Sequence, residues 1–181
     1  MFLTPGIEPI DPFDLHRLKP TMRAHFSTLV WALMLTLVLP LMVQAAPVEA
    51  GQPLPELRLE DQHGQPWRIE AETRLVIFAA GRPASNRVQS VLGTQPKDFL
   101  ASRQAVYLAD MSRMPGLITR TFALPALREQ PFRIGVSLNE THLADWPRQA
   151  EAVTLIHLDQ GRVQRIEFAG SEAELQRALG L

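Results

Sequence analysis

The chain predicts an α/β domain with a mixed parallel and antiparallel sheet, flanking helices and a leading β-hairpin. Three stretches carry that expectation. Leu75-Val76-Ile77-Phe78-Ala79-Ala80 is a short apolar run, β-branched in the middle and closed by Gly81, which reads as a strand buried on both faces. Val88, Val91 and Leu92 follow at i, i+3 and i+4, the spacing of one apolar helical face, and Ala105-Val106-Tyr107-Leu108-Ala109 is a second buried run beyond it. Residues 152–158 and 163–168 flank Asp159-Gln160-Gly161-Arg162, a hairpin with glycine in its turn.

In chain order, residues 22–45 read as a secretory signal peptide. Arg23 and His25 lead, residues 26–43 are uncharged and mostly apolar, and Val43-Gln44-Ala45 places small residues at −3 and −1, so cleavage leaves Ala46 first. The competing reading is an uncleaved anchor to the inner membrane, because 26–43 approaches spanning length; Pro40 and the cleavage motif favour removal. Residues 1–21, with Pro5, Pro9 and Pro12 and charges of both signs, do not resemble the start of a signal, and translation is expected to begin at Met22. The protein is expected to be exported, to the periplasm if its source is a Gram-negative bacterium.

Residues 46–181 fit one domain. Leu57-Arg58-Leu59 and Trp67-Arg68-Ile69 alternate on either side of Asp61-Gln62-His63-Gly64, a leading hairpin. After the strand at 75–80, Ser85 or Asn86 is the expected helix cap. A second helical piece spans 96–103, opened by Pro96. Asp110 stands at the end of the second strand. A further helix starts at Pro115-Gly116, its face continuing through Phe122 and Leu124 to Leu127, with Pro125 breaking or restarting it. Residues 132–138 read as a strand and 141–149 as a polar connection. Ser171-Glu172-Ala173-Glu174 is a capping box that opens a terminal helix through Leu175, Ala178 and Leu179.

Composition removes several function classes. Lys+Arg number 18 against 19 Asp+Glu, so there is no electrostatic case for nucleic acid. The chain has no cysteine, which excludes disulfides, thiol catalysis and thiolate metal ligation. His63, His142 and His157 lack metal-ligand spacing, and no glycine-rich nucleotide fingerprint occurs, so no metal or cofactor is expected. A serine nucleophile at Ser85 would lack the second glycine of a strained elbow.

A strand ending in Phe78-Ala79-Ala80, then a loop and a helix, resembles the active-site segment of thioredoxin-like proteins. The order of elements, a parallel half followed by a hairpin and a terminal helix, is similar to theirs. The leading hairpin resembles the arrangement in peroxiredoxins and TlpA-type relatives. The resemblance implies a three-layer sandwich. Aligned on Phe78, Pro83 and Asn86 stand where the family carries its two redox cysteines, and Val153 stands where it carries a cis-proline, so the bond before Val153 is expected to be trans. Ala80-Gly81-Arg82 is similar to the exported, cysteine-free group typified by YtfJ.

In open α/β sheets ligands gather where a strand's carboxyl end meets a helix N-terminus. Gly81, Arg82, Ser85, Asn86 and Arg87 occupy that place, and guanidinium groups beside free helix N–H groups suit an anion or carboxylate. An ordinary solvated loop is the plainer reading. Asp110 and Arg113 follow the neighbouring strand to the same edge, where they line the cleft or pair to fix the loop. Val153 completes the candidate set. Met111, Met114 and Trp146 read as core or anchor more than contact surface. The expected function is a binding or scaffolding module in the cell envelope, holding an envelope protein or a small anionic ligand, with membrane contact only through an uncleaved signal. The alternative is a non-thiol enzyme, oxidoreductase or transferase-like, reusing the cleft through Arg82, Ser85 and Asp110.

Overall fold

The computed structural model describes residues 47–181, so the expected 1–21 extension, the expected signal segment and its expected cleavage point before Ala46 lie outside the described residues. The chain runs through β1 (Arg58–Asp61), β2 (Pro66–Arg68), β3 (Leu75–Ala80), α1 (Arg82–Leu92), α2 (Phe99–Ser102) and β4 (Ala105–Asp110). It continues through α3 (Gly116–Ile118), a π-helical turn (Thr119–Ala123), α4 (Leu124–Arg128), β5 (Ile134–Ser137), β6 (Val153–Asp159), β7 (Arg162–Ala169) and α5 (Glu172–Ala178). The strands form one sheet in the order β2-β1-β5-β4-β3-β6-β7. β3, β4 and β5 are parallel; β6 and β7, and the leading hairpin, are antiparallel to their neighbours.

Alternation along the central strands sends side chains to two apolar clusters. Ile77, Ala79, Tyr107 and Leu155 face the helices, where Val88 and Leu92 of α1, Leu127 of α4 and Leu175 of α5 cover them. Val76, Phe78, Leu108 and Ile156 face the other way. There the cover is non-helical: the leading segment supplies Val48 and Leu57, and the connection between β5 and β6 supplies Leu143 and Trp146. Trp146 meets Phe78 edge-on at 5.3 Å. Trp67 lies across β5 where a Cβ on Gly135 would come within 2.6 Å of its ring, so only glycine admits this closure.

Polar side chains complete the hairpin's attachment. Asp61 Oδ1 accepts from the backbone N–H groups of His63 and Gln65, each at 2.9 Å, and Oδ2 accepts from Arg133 Nε at 3.0 Å. Burial alone would raise the Asp61 carboxyl, but these donors outweigh it and hold the group below the usual aspartate value. Gln62 donates to the Phe132 carbonyl at 2.8 Å and accepts from the Ile134 N–H at 2.9 Å. Its amide stands where a strand partner would, and the strand expected over 132–138 is shortened to Ile134–Ser137.

The helix after β4 also departs from expectation. Leu127 is buried, but Phe122 is 65% exposed and Leu117 77%. Pro125 has no N–H, and its ring would press on the carbonyl four residues back. The chain widens just before it: the Leu124 N–H reaches back to the Thr119 carbonyl. Thr119 and Leu127 then point inward and Phe122 falls off the buried face. The terminal helix matches its capping signal at Ser171, whose Oγ accepts from the Glu174 N–H at 3.2 Å, while the Glu174 carboxylate reaches Gly170 N at 2.7 Å.

Candidate functional site

Gly81 ends β3 with φ 90° and ψ 177°, a region that glycine alone adopts readily. The chain therefore turns off the strand and enters α1 at once, with Pro83 in the first turn, its φ already set for a helix. This corrects the expected cap: Gly81 holds that position without a side-chain hydrogen bond, and Ser85 and Asn86 lie inside the helix. Ser85 is buried, its Oγ 2.9 Å from the Tyr107 hydroxyl, and Gln89 Nε2 donates to it at 3.1 Å. Burial pushes the Tyr107 hydroxyl up to about 12, against the opposing pull of its hydrogen bonds with Ser85 and Gln89.

Asp110 is buried at the end of β4. Its Oδ1 accepts from the Ser112 N–H at 3.0 Å and its Oδ2 from Arg148 Nη1 at 3.2 Å. Arg148 also donates to the Leu143 carbonyl and stands 5.6 Å from the Phe78 ring centroid, pinning the β5–β6 connection to the sheet. Arg113 is exposed and has no carboxylate partner among the described residues. Arg87 donates to the Glu151 carbonyl, tying α1 to the turn before β6. Every peptide bond in the described residues is trans. Val153 pairs in register with Ala79 and is fully buried, so it supports the site from the core and does not line it.

Six of the eight candidate residues border two openings at the first turns of α1, and Arg87 and Val153 border neither. Gly81, Asp110 and Arg113 share a polar recess of about 280 Å³ with Arg148 and Glu151. Arg82, Ser85 and Asn86 border a second cleft of about 390 Å³, whose facing wall is Met111, Met114, Ile118 and Phe122. A wider groove of about 910 Å³ passes Trp67, Lys97 and Phe132 near the amino end of β4 and contains none of the candidate residues. Arg82 offers the cleft a cation suited to a carboxylate or phosphate, while in the recess Arg113 stands beside Asp110 and Glu151.

Sequence reasoning missed Arg148, which follows Trp146-Pro147 in a connection without periodicity, 38 residues from Asp110. Met111 is buried in the core as expected and only its edge reaches the cleft, whereas Met114 is half-exposed there, a place that depends on the helix that follows β4.

No family model matches the chain, and no curated protein does. Solved structures do. A protein described provisionally as a disulfide isomerase, from Bacteroides thetaiotaomicron, superposes with a TM-score of 0.50 at 11% identity, over 74% of this chain and 87% of its own. Peroxidoxin BcpB from Mycobacterium tuberculosis superposes with a TM-score of 0.50 at 16% identity, over 74% of this chain and 95% of its own. At such identities the likeness is one of fold: this is a thioredoxin-like α/β domain, and it contains no cysteine.

Proposed function

We propose that the protein is an exported member of the YtfJ-type group that acts as a binding or scaffolding module in the cell envelope, periplasmic in a Gram-negative source. The observation that carries the reading is the state of the α1 entrance. Gly81 carries the chain from β3 straight into α1 with Arg82 exposed, and the resemblance puts Pro83 and Asn86 where thioredoxin-like enzymes carry their redox pair. Disulfide exchange and thiol peroxidation both need a thiolate nucleophile, and this chain supplies none. What the junction retains is recognition surface: the exposed Arg82 and an apolar wall opposite.

The geometry weighs against a non-thiol enzyme at the same place. Both Asp110 oxygens are already engaged, and Ser85 faces a tyrosine hydroxyl raised to about 12, which is no base near neutral pH. The test is affinity capture of the tagged protein from its own cell envelope, with Arg82→Ala as control, beside insulin-reduction and peroxide-consumption assays. The expected result is a partner or ligand retained by the wild type and weakened by Arg82→Ala, with both redox assays at the buffer blank. Turnover of a small molecule that depends on Arg82 would overturn the reading.

A further inference from the structure

We propose that the cleft between α1 and the helical segment after β4 docks an extended acidic stretch of a partner polypeptide. An apolar side chain of that stretch enters between Met114 and Phe122, and a carboxylate meets Arg82. The inference rests on the binding-module reading and deepens it by naming the surface and the chemistry of the partner.

Apolar side chains left in water locate the surface. Phe122 is 65% exposed, Leu117 77% and Ile118 38%, and Ile118 and Phe122 line the cleft itself. Large apolar groups clustered beside a recess mark interaction sites more often than chance exposure does. Met114, half-exposed in its wall, gives it a side chain that reshapes around different occupants. Phe122 belongs to the π-helical turn, a backbone feature found frequently at functional sites.

Charge selects the occupant. The cleft lining includes Arg82 and no carboxylate, and the exposed Arg113 immediately precedes Met114. Neither arginine has a carboxylate partner among the described residues. A second copy docking by a two-fold axis would bring this arginine-bearing face against itself with no carboxylate in the cleft to meet it, so self-association is disfavoured. An acyl chain would be enclosed only in part, because Leu117 stands outside the recess. A polypeptide crossing the cleft covers both the recess and its apolar rim, and its Asp or Glu residues supply the missing charge.

The experiment is selection of a random dodecapeptide display library on the full-length protein, followed by titration of a synthetic consensus peptide. Enriched peptides should carry an aromatic or large aliphatic residue within a few positions of Asp or Glu. Their binding should weaken about tenfold or more on Phe122→Ser, on Arg82→Ala, and when the peptide's acids become amides, with melting temperature unchanged. Leu117→Ser provides a second surface variant with the same expectation. The proposal fails if no peptide is enriched, if the consensus is neutral or basic, or if Phe122→Ser binds equally well. It also fails if a dimer forms that Phe122→Ser dissolves, or if laurate binds in a Phe122-dependent way while peptides do not. An envelope partner whose capture survives Phe122→Ser would remove this docking surface and leave the binding-module reading standing.

Discussion

The hydroxyls of Ser85 and Tyr107 lie 2.9 Å apart inside the domain, joining α1 to the middle of β4 beneath the candidate site. A surface cap would leave little behind when removed, but this contact is buried. Ser85→Ala leaves a buried phenol short of a partner and should cost about 1–3 kcal/mol. Tyr107→Phe alone should also destabilise, and the double variant should lose less than the two single losses together. Denaturant titration of the four proteins checks this; strict additivity would mean the hydroxyls do not interact.

The same tyrosine gives an alkaline limit to stability. Its folded value of about 12 lies above the ordinary 10, so between those values the unfolded chain loses a proton that the folded chain keeps. Stability should therefore be intact below pH 10 and fall as pH rises toward 12, by about 3 kcal/mol from this group. Tyr107 is the chain's single tyrosine, so spectrophotometric titration reports it directly. Tyr107→Phe should flatten the loss over that window.

Gly135→Ala should be among the most damaging small substitutions. The new methyl would meet the Trp67 ring at 2.6 Å, and relief requires moving either the hairpin or β5. Overpacking of this kind costs about 1–3 kcal/mol. Melting temperature and Trp fluorescence should both shift; a variant as stable as wild type would show that Trp67 does not close over the strand.

Arg148→Ala should loosen the β5–β6 connection, since it leaves Asp110 buried with one fewer donor and the Leu143 carbonyl with only the Trp146 N–H. Arg148 is partly exposed, so the cost should be about 2–3 kcal/mol, below the 3–5 of a fully buried pair. Hydrogen exchange at the Trp146 N–H, which bonds Leu143, should accelerate more than at β4.

What could be read in advance was what local pattern encodes. The β3 run, the α1 face, the Gln160-Gly161 turn and the Ser171 cap are each specified by neighbours in sequence, and each stands where expected. Residue preference at single positions points to Ser85 or Asn86 as the cap, but Gly81 and Pro83 together start the helix earlier, a joint effect that such a preference does not show. A regular helix would carry Phe122 inward; the π-helical turn before Pro125 turns it out. Arg148 on Asp110 and Trp67 on Gly135 are contacts across the fold, and nothing in the sequence between them announces the pairing.

The most direct measurement is calorimetric titration of the captured envelope partner into wild type and Arg82→Ala, with melting curves of both. Exposed surface arginines without a carboxylate partner contribute less than about 1 kcal/mol to folding, whereas hydrogen bonds to a charged group contribute about 1.5–3. The expected result is binding weakened by about tenfold or more with the melting temperature unchanged. Equal affinity for the two proteins, or an Arg82→Ala variant that unfolds yet binds normally per folded molecule, would contradict a binding site at the entrance of α1.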